Sequence, residues 1–183
     1  MCPRGSNRAP ARGPSTSPLG DPMAYFADFS LCSYHQGPFD AGSWRCPLLA
    51  IGWLEYPNEF PKGGQLAENV RDRIAFLRFA FSQSYSSYSF RGWHDCSWCR
   101  AQGVEAKLGD SHINLLVPDT NRVFIAPGRI DHYVEKHEYL LPTEFLRSLM
   151  QCPDPRDASY EKMLRNANGG FPPPLAGEVD PFA

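Results

Sequence analysis

The spacing of apolar and charged residues predicts one amphipathic helix near the middle of the chain. In residues 65–83, apolar side chains recur at intervals of three or four positions, and charged side chains occupy the opposite side. The apolar stripe consists of Leu66, Val70, Ile74, Leu77 and Phe81. We expect this stripe to face the core of the domain and to pack against a small sheet.

Short apolar segments bounded by Gly, Pro or Asn predict strands on both sides of this helix. Residues 24–32 and 48–56 are two such segments that precede the helix. Residues 85–91 follow it and alternate aromatic with polar side chains, which also favours a strand.

The second half of the chain has the pattern of a β-hairpin followed by helices. Two apolar runs, residues 112–117 and 122–126, flank Pro118-Asp119-Thr120-Asn121, a sequence typical of a turn. Residues 129–137 favour a short helix, and Pro142 favours the start of a last one. Together these elements predict an α+β fold with a small mixed or antiparallel sheet.

Composition places these elements in one domain between two tails. The 183 residues suffice for a single core, and a hydrophobic fraction of 42% is ordinary for a globular protein. We expect this domain to span residues 23–152, with Met23 as an alternative start. Residues 1–22 should be disordered and residues 153–183 mostly so, because both are rich in Pro and Gly. An isolated helical turn is expected at residues 157–166.

Charge and leader signals bear on the compartment and the partner. A net charge of -2 gives no general attraction to nucleic acid or to anionic membranes. Apolar runs fall short of the ~20 residues of a membrane-spanning helix, and residues 1–22 lack the apolar segment of a secretory signal. We therefore expect a cytoplasmic protein whose six cysteines stay reduced.

Two cysteines and two histidines have the spacing of a metal site. Cys96 and Cys99 form a C-x2-C pair, and His132 and His137 form an H-x4-H pair further along the chain. Two thiolates and two imidazoles are a ligand set that tetrahedral zinc prefers, at spacings usual for structural sites. Four protein ligands leave no open position, so the predicted zinc is structural and fastens the hairpin to the following helix.

The histidine spacing has a consequence for the helix that carries both residues. Residues five apart on an α-helix lie about 140° apart around the axis, so both can bind one ion only if the helix loosens or ends. We therefore expect His137 to lie in the last turn. His94 is the alternative fourth ligand if the helix remains regular.

The order of cysteine pair, hairpin and helix resembles a treble-clef zinc module, here at about residues 92–138.

Other interpretations of the same residues remain open. The C-x-x-C pair could be a redox motif. If the metal shell were open, Asp131 or Glu135 could act as a general base for bound water. His112 and Asn114 have a superficial likeness to an HNH-type nuclease, but we assign no catalytic residue.

Nucleic-acid binding is a further alternative for this module. The basic residues around it are Arg91, Arg100, Lys107, Arg122, Arg129 and Lys136. The aromatic side chains that could stack on bases are Trp93, Trp98 and Tyr133. Acidic residues are interleaved with the basic ones, which is typical of a solvated surface of mixed charge.

The stretch from residue 25 to 145 resembles an uncharacterised bacterial protein family. The pieces that carry the resemblance are Ile51-Gly52-Trp53-Leu54, Phe60-Pro61, Gly92-Trp93-His94-Asp95-Cys96-Ser97-Trp98-Cys99, Gly109, Val123-Phe124-Ile125-Ala126-Pro127, Ile130-Asp131-His132-Tyr133-Val134-Glu135-Lys136-His137, Tyr139 and Pro142-Thr143-Glu144-Phe145. The resemblance implies a compact bacterial domain of unknown function and carries no activity with it.

These observations predict a non-enzymatic, zinc-binding accessory or protein-interaction domain whose partner is a protein. The first alternative is a nucleic-acid-binding zinc protein, and the second is a metal-dependent hydrolase or nuclease. We expect no membrane partner.

Overall fold

The computed structural model describes residues 25–32, 46–84, 90–91, 95–105 and 111–167. In chain order, its elements are β1 (Leu48–Ala50), α1 (Glu68–Ser84), β2 (Phe90–Arg91), α2 (Ser97–Ala101), β3 (Ser111–His112), β4 (Asn114–Asp119), β5 (Arg122–Pro127), α3 (Ile130–His137), α4 (Thr143–Gln151) and α5 (Ala158–Ala167). The predicted α+β class is confirmed. Within the described ranges, no helix is long and apolar enough to cross a membrane.

The core is built around a mixed sheet of three strands in the order β1-β5-β4. Strands β4 and β5 form the antiparallel hairpin that the sequence predicted, and β1 pairs with β5 in parallel. Both faces of the hairpin are covered, because successive residues along β4 and β5 are buried rather than alternating with exposed ones. Helices α1, α4 and α5 all contact β4.

Helix α1 confirms the predicted amphipathic helix, although it begins at Glu68 rather than at residue 65. Ile74, Leu77 and Phe81 are buried against the sheet, as the apolar stripe predicted. The first stripe positions, Leu66 and Val70, are only partly buried. The stripe therefore faces the core most closely in the second half of the helix.

The prediction of a strand at residues 24–32 is wrong in the described part of that segment. Phe26 and Leu31 make isolated bridges to Trp53 and Leu49, on either side of a turn. Phe29 lies in this turn with φ of 62°, a left-handed conformation that interrupts an extended strand.

The strand predicted at residues 48–56 is confirmed only for β1. Gly52 ends it, because its φ of 71° is incompatible with a continuing strand. A Cβ atom at Gly52 would lie 2.7 Å from Cδ1 of Ile130, so the backbone here approaches α3 as only glycine can.

The packed structure continues beyond the predicted limit at residue 152. Instead of an isolated helical turn, residues 158–167 form α5, whose Tyr160, Leu164 and Ala167 are buried. The Tyr160 hydroxyl donates a hydrogen bond of 2.9 Å to the carbonyl oxygen of Leu116 in β4. The three buried positions recur at helical spacing, so α5 contributes an apolar face to the core. The predicted tail at residues 1–22 and the end of the chain from residue 168 lie outside the described residues.

Of the strand predicted at residues 85–91, the described part is β2, which pairs with β3 in a small antiparallel ladder. Residues 85–89 lie outside the described residues.

Candidate metal centre

The four residues that the sequence singled out converge in the structure. The Cys96 sulfur lies 3.2 Å from Nε2 of His137. The Cys99 sulfur lies 3.3 Å from the same nitrogen and 3.5 Å from Nε2 of His132. All four ligand atoms lie within 4.8 Å of one another, and all four residues are buried. The alternative ligand His94 lies outside the described residues.

These separations fit a shared tetrahedral ion. With metal–sulfur bonds of about 2.3 Å and metal–nitrogen bonds of about 2.0 Å, sulfur and nitrogen ligands lie roughly 3.5 Å apart. The three sulfur–nitrogen distances of 3.2 to 3.5 Å are close to this value. The cluster could therefore hold a metal ion with little movement of its side chains.

The two cysteines are brought together by the short helix α2. Cys96 is its N-cap residue, and the backbone N–H of Cys99 donates a hydrogen bond of 3.5 Å to the Cys96 sulfur. The helix ends after one turn, where Gly103 takes a φ of 74°. A C-x-x-C redox pair of the thioredoxin kind opens a long helix, which α2, at five residues, is not. None of the five described cysteines forms a disulfide.

The two histidines lie at opposite ends of α3, and the helix ends where the sequence predicted. His132 is in the first turn, and His137 is the last helical residue. Glu138 then takes a left-handed φ of 58°, and the N–H of Tyr139 donates to the carbonyl oxygen of Tyr133. This ending lets His137 face the same sulfur as His132.

A second chain segment fixes the end of α3 from outside. The N–H of Gly64 donates to the carbonyl oxygen of Glu138, and the N–H of Leu140 donates to that of Pro61. A Cβ atom at Gly64 would collide with the carbonyl oxygen of Tyr139, so glycine permits this close approach. The segment, Pro61-Lys62-Gly63-Gly64, is rich in turn-forming residues, and nothing in its sequence indicates contact with the metal centre.

Burial shifts the pKa values of both histidines and of Cys96. It lowers the pKa of His132 to about 4, and the positive charge of His137 adds to this effect. Burial also lowers the pKa of His137, and the charge of Lys62 lowers it further. Both imidazoles are therefore neutral at pH 7, which is the form that binds metal ions. Burial raises the pKa of Cys96 to about 12, so an ion must displace a proton to bind that sulfur.

Two polar groups beside the centre have no hydrogen-bond partner among the described residues. They are the Tyr133 hydroxyl and Nε1 of Trp98. Burial raises the pKa of Tyr133 well above its usual range, so the hydroxyl keeps its proton. The sequence suggested both aromatic residues only as surfaces for stacking bases, and it gave no sign of these buried donors.

The acids considered as general bases are engaged elsewhere. Asp131 accepts a hydrogen bond of 3.0 Å from Arg78, and Glu135 accepts one of 2.7 Å from Arg71. Both arginines belong to α1, so these ion pairs join α1 to α3.

The two residues with a likeness to a nuclease lie on consecutive strands. His112 lies in β3 and Asn114 lies in β4, where it is buried. The only group of metal-binding side chains found in the described residues is the Cys96, Cys99, His132 and His137 cluster.

The residues considered for nucleic-acid binding are only partly available. Tyr133 is 1% exposed, so its ring cannot stack on a base. Trp98 is half-buried, with the rings of Tyr56 and Phe60 both packed at 5.1 Å from it. Trp93, Lys107 and the side chain of Arg91 lie outside the described residues.

Among the described basic residues, two form ion pairs and two are exposed to solvent. Arg122 forms ion pairs with Asp119 and Glu144, and Arg129 forms one with Asp131. Arg100 and Lys136 are exposed.

A family model for a domain of unknown function, DUF7919, matches residues 24–150. The match covers well over half of the 183 residues and includes all four members of the metal cluster. The chain therefore belongs to this family. No curated protein matches the chain, and no solved structure matches it either.

Proposed function

We propose that the chain is a non-enzymatic accessory or protein-interaction domain held together by one structural zinc ion. The ligands are Cys96, Cys99, His132 and His137. One observation carries the proposal: the ligand atoms of four buried side chains, drawn from two helices, lie within 4.8 Å of one another. A buried cluster of two thiols and two imidazoles is an arrangement suited to sharing one metal ion.

Zinc is the ion that this donor set favours. Soft thiolates exclude magnesium and calcium, which take oxygen ligands, and a mixed sulfur and imidazole shell in a tetrahedral arrangement is typical of zinc. The neutral state of both imidazoles adds support, because each offers a lone pair at neutral pH.

A structural role follows from the number of ligands and from their positions. Four protein ligands fill a tetrahedral shell, whereas catalytic zinc keeps one position for water or substrate. The ion would join α2, of five residues, to α3, of eight. Such short helices need a link of this kind. The order of cysteine pair, hairpin and helix supports a treble-clef-like module.

The first experiment is metal analysis of the purified protein. About one equivalent of zinc per chain is expected, and it should be lost on replacement of His132 and His137 by Ala together. Less than half an equivalent in the unaltered chain would refute the proposal. A salt-sensitive gel shift with short nucleic acids would instead favour a nucleic-acid-binding zinc protein.

A further inference from the structure

The Tyr133 hydroxyl is a buried donor without an acceptor, next to the metal centre. The residue is 1% exposed, and no described group accepts a hydrogen bond from its hydroxyl. Buried hydroxyls in folded proteins nearly always have a partner, so an exception calls for an explanation.

Its place on α3 brings Tyr133 against the ligands. It precedes His137 by one helical turn, so the two side chains share a face of the helix. Its ring centroid lies 6.2 Å from that of His137 and 5.6 Å from that of His132. Both sulfurs border the imidazole of His137, whose Nε2 lies 3.2 Å from the Cys96 sulfur and 3.3 Å from the Cys99 sulfur.

We propose that Tyr133 is a positioning residue whose hydroxyl donates a hydrogen bond to one of the two cluster sulfurs, directly or through one buried water, when that sulfur binds the metal. This inference rests on the proposed function. A thiol is a weak acceptor, but a metal-bound sulfur is a thiolate and accepts hydrogen bonds well. The hydroxyl would hold the sulfur in place and stabilise its charge in a buried site.

The test compares Tyr133→Phe with Tyr160→Phe. Tyr160 is also buried and lies outside the cluster, but its hydroxyl already donates to the carbonyl oxygen of Leu116. Zinc affinity is measured by competition with a chelator. Tyr133→Phe should weaken zinc binding roughly 10- to 100-fold, as is usual for groups that support metal ligands. Tyr160→Phe should lower stability and leave zinc affinity unchanged.

Cobalt(II) provides a readout that a purely packing role would not change. A hydrogen bond lowers the energy of the sulfur lone pairs, so its loss should move the sulfur-to-cobalt charge-transfer band to longer wavelength in Tyr133→Phe. The band should not move in Tyr160→Phe. With the unaltered chain, zinc should slow exchange of the Tyr133 hydroxyl proton, measured by NMR, more than it slows exchange of the Tyr160 hydroxyl proton. This comparison needs no variant and therefore holds even if Tyr133→Phe fails to fold.

The outcomes separate the two proposals. If the unaltered chain takes up no zinc, the proposed function fails. If it binds zinc, but Tyr133→Phe retains both its affinity and its cobalt band, only the role of Tyr133 is refuted. An unchanged exchange rate of the hydroxyl proton on zinc addition would refute that role as well.

Discussion

Cys96 combines two roles in one side chain. Its sulfur accepts the hydrogen bond that begins α2, and it also lies 3.2 Å from Nε2 of His137. Serine is a favoured N-cap residue but a poor zinc ligand. A change from Cys to Ser at this position therefore separates the start of the helix from metal binding.

We predict that Cys96→Ser removes the stabilisation that zinc provides and leaves the chelated protein little changed. With free zinc at about 1,000 times the dissociation constant, the loss should be about 4 kcal/mol in the free energy of unfolding. In chelator, the variant and the unaltered protein should agree to within about 1 kcal/mol. Urea unfolding with zinc and with chelator measures both quantities.

Cys46→Ser is the matched control, since Cys46 is partly exposed and lies outside the cluster. It should retain the full zinc effect. Equal zinc effects in the two variants would contradict the assigned role of Cys96.

At the scale of single residues, the four members of the metal cluster were predictable, because the spacing within each pair of ligands is a local property of the chain. It could not predict the buried hydroxyl of Tyr133 or the contact of Gly64 with the end of α3. Both depend on which distant segments meet in the fold, and a single sequence pattern does not contain that information.

Among the elements, α1 and the β4–β5 hairpin were predictable because each is defined by a strong periodic pattern or by a turn sequence. The strands predicted at residues 24–32 and 48–56 failed partly because single residues there adopt positive φ. Phe29 and Gly52 take these conformations, and only glycine gives a warning in the sequence.

The contribution of the hairpin turn to stability should depend on pH through the carboxylate of Asp119. Its carboxylate accepts hydrogen bonds from the N–H of Thr120 and from Arg122. Burial alone would raise the pKa of Asp119, but these bonds outweigh it and hold the pKa below 3.8. A lowered pKa contributes stability above about pH 4, which is lost as the pH falls through the folded-state value.

We therefore expect Asp119→Asn to lower the free energy of unfolding by about 1–2 kcal/mol at pH 7. This difference should shrink at pH 3, where the unaltered carboxylate begins to take up a proton. Urea midpoints at the two pH values provide the measurement. If the difference in free energy of unfolding were the same at pH 7 and pH 3, the proposed role of the Asp119 charge would be contradicted.

The ion pairs between α1 and α3 should differ in strength. Arg78 donates to both Asp131 and the carbonyl oxygen of Gly128, and the Asp131 side chain is only 14% exposed. Arg71 and Glu135 form a pair that is 49% and 37% exposed. Burial makes the loss of one partner costly, whereas solvent screens an exposed pair.

Arg78→Met should therefore cost about 1–3 kcal/mol in the free energy of unfolding, because it leaves Gly128 without its donor and Asp131 with only the ion pair to Arg129. Arg71→Met serves as the control and should lower the free energy of unfolding much less, because solvent screens its exposed pair. Denaturant unfolding of both variants measures the two losses in free energy of unfolding. Equal losses would contradict the greater strength assigned to the Arg78–Asp131 pair.

For the molecule as a whole, the core includes more of the chain than the family match. That match ends at residue 150, yet α5 buries Tyr160, Leu164 and Ala167 against the sheet. The sequence signal for α5 is weak, because Pro153 and Pro155 precede the helix and polar residues surround its apolar positions. Helical spacing of residues 160, 164 and 167 was the one sign of packing.

A chain that ends at residue 152 should consequently be less stable than one that ends at residue 167. Loss of α5 uncovers β4 and removes two large buried side chains, Tyr160 and Leu164, each worth about 2–5 kcal/mol. We expect the shorter chain to lose its cooperative urea transition and the longer one to keep it. Identical transitions in the two would show that α5 is dispensable.

The segment at residues 25–32 matters for a reason that concerns other copies of the chain. Cys32 donates to the carbonyl oxygen of Leu48, Phe29 donates to that of Ala50, and Ala50 in turn donates to that of Ser30. These bonds occupy the side of β1 that faces away from β5. An uncovered sheet margin is a template for aggregation, since its free backbone groups recruit strands from neighbouring molecules. The segment at residues 25–32 therefore covers this edge of the sheet and keeps β1 from pairing with a strand of another copy of the chain.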